Sequence, residues 1–66
     1  MKLTVNGEQR EVPDGLDARG LLNELGLKEK LVVVELNREI IKREAIDGTP
    51  LNDGDVVEIM RYIGGG

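Results

Sequence analysis

The chain changes its hydrophobic rhythm several times, and each change marks an element. Leu3-Thr4-Val5 alternates apolar with polar, as a half-buried strand does. Asn6-Gly7 follows, a strong hairpin signal because both residues tolerate positive φ. Glu8 to Val12 returns as a second strand, and Pro13-Asp14-Gly15 ends it. Ala18, Leu21, Leu22 and Leu25 then fall at i, i+3, i+4 and i+7, one apolar face of a helix. Asp17 is its expected N-cap, and Gly26 its left-handed C-terminal cap, with Leu27 folding back on the last turn. Gly20 inside this helix costs about 1 kcal/mol against alanine. Leu31 to Leu36 is apolar and β-branched, a third strand. Asn37-Arg38-Glu39 reads as a turn and Ile40-Ile41 as a short fourth strand. Lys42 to Pro50 is polar and irregular, Asn52 to Asp55 is a turn centred on Asp53-Gly54, and Val56 to Tyr62 is the last and longest strand.

This order predicts an α+β domain in two layers, a mixed sheet of four to five strands packed against one main helix. The final strand is expected beside the first, in the middle of the sheet, which is the ubiquitin-like β-grasp arrangement. Strand alternation points Leu3, Val5, Val32, Val34, Leu36, Val57 and Ile59 at the helix. Ile40 or Ile41, Ile46 and Leu51 close the ends of this core. The opposite face then carries Thr4, Val33, Glu35, Val56, Glu58, Met60 and Tyr62. A sheet face left to water is mostly polar, and this one is not. We read Val33, Val56, Glu58, Met60 and Tyr62 as a partner-docking patch.

Composition narrows the chemistry. The 66 residues include no cysteine and no histidine. Disulfides and thiol chemistry are therefore absent, and so are the commonest general base and the commonest metal ligand. Thr4, Thr49 and Tyr62 supply the only side-chain hydroxyls, without a base of the right kind to activate them. A hydrolytic triad is excluded, and no metal site is expected. Asp53 and Asp55 flank Gly54 in a fragment of a calcium-loop pattern whose remaining ligands are missing, so a turn is expected there. The net charge of −4 with a single aromatic residue argues against nucleic acid, which needs a positive face and stacking rings. No apolar run approaches membrane-spanning length. These features predict a cytoplasmic protein, a monomer when free, that works through protein partners with basic docking sites.

Gly64-Gly65-Gly66 follows the last strand. Without Cβ atoms such a segment adopts almost any φ/ψ and enters channels too narrow for other residues. Three extended residues reach about 10 Å. Residues 1–63 are thus expected to form the domain, and residues 64–66 a flexible arm. The arm presents one reactive group, the α-carboxylate of Gly66, to another protein's active site. A carboxylate with a pKa of about 3.5 is ionised and a poor acyl donor, so it needs activation by that partner.

Several segments together resemble a known family. They are Leu3-Thr4-Val5-Asn6-Gly7, Val34-Glu35-Leu36-Asn37-Arg38-Glu39-Ile40-Ile41, Arg43-Glu44, Asp55-Val56-Val57-Glu58-Ile59, and Ile63-Gly64-Gly65-Gly66. The chain resembles the ubiquitin-like sulfur carriers over its full length, and among them the ThiS family of thiamine thiazole biosynthesis. The resemblance implies no catalytic residue in this chain and no bound cofactor. It implies that an adenylating enzyme of the ThiF kind uses ATP to convert Gly66 to an acyl-adenylate. A cysteine desulfurase system then supplies the sulfur of a Gly66 thiocarboxylate, which a thiazole synthase of the ThiG kind consumes. Gly64 and Gly65 are the arm that enters the partner's site. Two other readings share the glycine ending: a carrier like the small subunit of molybdopterin synthase, and a ubiquitin-like modifier joined to lysine.

Overall fold

The two hairpin turns show why the chain folds back where it does. Asn6 and Gly7 have φ values of 50° and 82°, which gives a two-residue turn whose twist matches the flanking strands. It joins β1 (Lys2–Val5) to β2 (Glu8–Glu11), with Val5 opposite Glu8. Asn37 and Arg38 repeat the device at 50° and 73°, an arginine occupying the place that glycine usually fills. They join β3 (Val32–Leu36) to β4 (Glu39–Ile41). The structure, a computed structural model, describes residues 1–61. Expectations for Tyr62, Gly64, Gly65 and Gly66, and for the arm as a whole, lie outside the described residues.

Between the hairpins lies α1 (Ala18–Leu25). The Asp17 carboxylate accepts a hydrogen bond from the Gly20 N–H at 2.8 Å, which caps the first turn. Gly26 ends the helix at φ 69°, and the Leu27 N–H donates to the Leu22 carbonyl at 2.9 Å. Leu16 and Leu21 occupy the two positions of a hydrophobic staple around the cap. Gly20 has a packing reason for its place. A Cβ there would stand 2.6 Å from Leu16 Cδ1 and 3.0 Å from Leu16 Cγ, so Leu16 would have to move.

β5 (Val56–Arg61) completes a five-stranded sheet of order β2-β1-β5-β3-β4. It runs parallel to β1, with Thr4 beside Val56 and Val5 beside Val57. It runs antiparallel to β3, from Val32 opposite Arg61 to Leu36 opposite Val57. A strand that pairs on both sides holds the two hairpins together. This is the β-grasp topology, with the last strand in the expected central position.

The core lies between α1 and one face of the sheet. Leu3, Val5, Val32, Val34 and Val57 bury there against Ala18, Leu21 and Leu22, with Ile46 and Leu51 at the ends. Leu36 and Ile59, expected in this core, are half-buried against it. Val12, past the end of β2, is buried as well. Two expectations need correction. Leu31 belongs to a single 3₁₀ turn at Glu29–Leu31, ahead of β3, and is 59% exposed. The turn consumes the residue that a longer strand would have placed against its neighbour. A second 3₁₀ turn, Arg43–Ala45, interrupts the segment read as irregular and leads Ile46 into the core.

Candidate functional site

The helix covers one face of the sheet, and alternation sends the remaining strand residues to the other. Register turns these residues into rows. Val33 on β3 stands opposite Met60 on β5. The next row runs Ile40, Glu35, Glu58 across β4, β3 and β5. The third row places Val56 beside Thr4, and Thr4 opposite Gln9. Val33, Val56, Glu58 and Met60, singled out from the sequence, therefore sit within three consecutive rows of one surface. Val56 and Met60 are 44% and 45% exposed, Glu58 is exposed and Val33 half-buried. Tyr62, the fifth of that set, lies outside the described residues.

Ile40 is a member of this surface that sequence reasoning did not assign to it. Of the pair Ile40-Ile41, Ile41 is half-buried against the core, while Ile40 is 65% exposed beside Glu35. A strand of three residues carries too little alternation to show which isoleucine faces inward. The signal that settles it is the turn: with Leu36 opposite Glu39, Ile40 must share a face with Glu35.

β5 is held by side chains as well as by its neighbours. Asn6 sits just past the end of β1, and its Oδ1 accepts the Ile59 N–H at 2.7 Å. Asn37 sits just past the end of β3, and its Oδ1 accepts the Val56 N–H at 2.9 Å. The Asn37 Nδ2 donates to Asp55 at 3.1 Å. The two asparagines at positive φ thus extend the ladder on either side of the strand that leads toward the glycines. The carboxylates of the turn ahead of β5 are similarly occupied. Asp53 accepts the Lys2 N–H at 2.6 Å, and Asp55 accepts the Asn52 N–H at 2.8 Å. Glycine at position 54, with φ 88°, closes this turn, as the sequence predicts.

The strongest ion pairing lies away from the open face. Arg19 on α1 donates to Glu29 and to Asp47, each at 2.6 Å. These bonds tie the helix to the 3₁₀ turn on one side and to the segment after Ile46 on the other. The hydrogen bond from Arg19, reinforced by a backbone N–H, holds the Glu29 carboxyl at about 2, well below its ordinary 4.5. The same partners raise the Arg19 guanidinium above its ordinary value. This is a structural clasp. Among the described residues no group of acidic side chains converges as a metal site. No helix there is long and apolar enough to cross a membrane.

Comparison with known proteins bears on what such a surface belongs to. The family model described as the ThiS family matches residues 3–66. A thiazole synthase of Paramagnetospirillum magneticum is 42% identical over all 66 residues, which span only 20% of that longer protein. The sulfur carrier protein ThiS of Thermus thermophilus is 39% identical over 62 residues, covering 94% of this chain and 95% of that one. The crystal structure of the thiamine biosynthesis protein ThiS from Geobacter metallireducens superposes with a TM-score of 0.87 at 43% identity, each chain covered in full. Fold, register and similarity agree: the chain belongs to the ThiS family of ubiquitin-like sulfur carriers.

Proposed function

We propose that this chain carries sulfur on the end of its own backbone for thiazole formation in thiamine biosynthesis. The observation that carries this reading is the family match through residue 66, which includes Gly64-Gly65-Gly66 directly after the strand that the fold clamps in its centre. The chemistry follows from the group on offer. An ionised carboxylate does not accept a nucleophile readily, so a partner enzyme joins a Gly66 carboxylate oxygen to the α-phosphorus of ATP and releases pyrophosphate. A persulfide sulfur from a cysteine desulfurase system then attacks the acyl carbon, and AMP leaves. A thiol cleaves the resulting S–S bond, which leaves a thiocarboxylate on Gly66. That sulfur is the nucleophile given to a thiazole synthase. The similarity to a stretch within a thiazole synthase supports that recipient.

In this scheme the chain is a co-substrate and its partners are the catalysts. Donors and metal ions that stabilise charge on ATP belong to the activating enzyme. The chain contributes a recognition surface, formed by Val33, Val56, Glu58, Met60 and Tyr62, and an arm, Gly64 and Gly65, thin enough to bring Gly66 to the phosphate. Incubation with the activating enzyme, ATP and a sulfide source, followed by intact mass measurement, tests the reading. A sulfur-for-oxygen gain located at Gly66 supports it. An unchanged mass, or isopeptide adducts on lysine, overturns it.

A further inference from the structure

Glu35 and Glu58 stand directly opposite each other on β3 and β5, in the middle of the open face. Directly opposed residues have Cβ atoms about 5 Å apart, and like charges there destabilise a sheet. Neither carboxylate has an ion-pair partner among the described residues. The ion pairs found there are those of the Met1 amino group with Glu11 and Asp14, and of Arg19 with Glu29 and Asp47. Lys42, which follows β4, makes none with Glu35. Arg61 alternates with Val57 and Ile59 and so belongs to the helix side.

Apolar side chains border the two carboxylates on three sides. The Val33–Met60 row lies toward the end of β5, Val56 lies on the row before, and Ile40 flanks Glu35 on β4. A purely apolar partner covering this face would strand two like charges away from water, at a cost of several kcal/mol for each ion. A partner that buries the border must therefore bring a cation to the centre. A guanidinium is planar and carries five donors, so one arginine reaches two carboxylates at once, which a compact ammonium does less well.

We propose that the open face docks on a protein surface where one arginine, set among apolar side chains, bridges Glu35 and Glu58. The proposal rests on the sulfur-carrier reading, because it identifies that surface with the activating enzyme that receives Gly66. Unfavourable in the free domain, the carboxylate pair becomes favourable only in the complex. It thus selects a partner with a matching charge over one that is merely apolar.

Binding to the activating enzyme, measured without ATP across a salt series, tests this with the wild type and E35Q/E58Q. The expected result is a Kd raised about tenfold or more for E35Q/E58Q, with a flatter salt dependence. Its thermal stability should equal or exceed that of the wild type, since the repulsion is gone. Wild-type affinity for E35Q/E58Q overturns the arginine bridge. So does a loss of folding in that variant, or an absence of wild-type binding. The two readings fail separately. Unchanged binding of E35Q/E58Q with normal sulfur loading removes the bridge and leaves sulfur carriage standing. Charge-dependent binding with no sulfur loading leaves the bridge and removes sulfur carriage.

Discussion

At the scale of single residues, Arg38 and Glu29 separate local strain from local support. Arg38 holds φ at 73°, a conformation in which its Cβ crowds the backbone. Arg38→Gly should therefore stabilise the domain by about 1 kcal/mol, read as a higher urea midpoint with unchanged slope. An unchanged or lower midpoint would mean that the arginine side chain repays its own strain. Glu29 works the other way. Its folded-state carboxyl sits at about 2 against an ordinary 4.5, so the ionised form supports the fold. That support is complete above the ordinary value and fades as pH falls toward about 2. The stability gap between wild type and Glu29→Gln should be widest near neutral pH and should close at the acid end. A gap that stays constant with pH would show that the clasp with Arg19 contributes through packing alone. Sequence reading caught the turn at Asn37-Arg38, because polar residues break the apolar run there. It did not catch the strain, because arginine gives no hint that it stands in a glycine's place.

Elements were legible wherever a periodic pattern ran long enough. The apolar face of α1, its Asp17 cap and its Gly26 terminus could all be read, since capping chemistry and helical spacing are local properties. The two 3₁₀ turns were not, because three residues hold no period. The same shortness left Ile40 and Ile41 undecided. Gly20 shows a different limit: its cost to the helix is a matter of propensity, but its reason is the Leu16 side chain lying against it. Gly20→Ala should gain little or no stability, since the roughly 1 kcal/mol of helix propensity is offset by displacing Leu16. In a Leu16→Ala background the same change should stabilise by close to the full amount. Equal effects in the two backgrounds, in a double-mutant cycle, would mean that the two residues do not interact.

For the whole molecule, the strand order was legible from the sequence of elements, but the row of Ile40, Glu35 and Glu58 was not. Which residues of distant strands face one another depends on a register fixed by tertiary pairing, and spacing along the chain does not reveal it. The sulfur-carrier proposal belongs to this scale too, because it asks the folded body and the glycines to act separately. Gly65→Ala should leave the thermal midpoint unchanged while slowing adenylation by the activating enzyme more than tenfold, as bulk at a narrow passage misplaces the reacting group. Adenylation at the normal rate would remove the argument for a thin arm. The central place of β5 has a consequence for biosynthesis. β1 pairs only with β2 and β5, and β3 only with β4 and β5. A nascent chain still missing residues 56–61 therefore holds two hairpins with no ladder between them. Closure waits for the final segment to leave the ribosome, so an interrupted translation product offers degradation machinery an open sheet and offers the activating enzyme nothing to load.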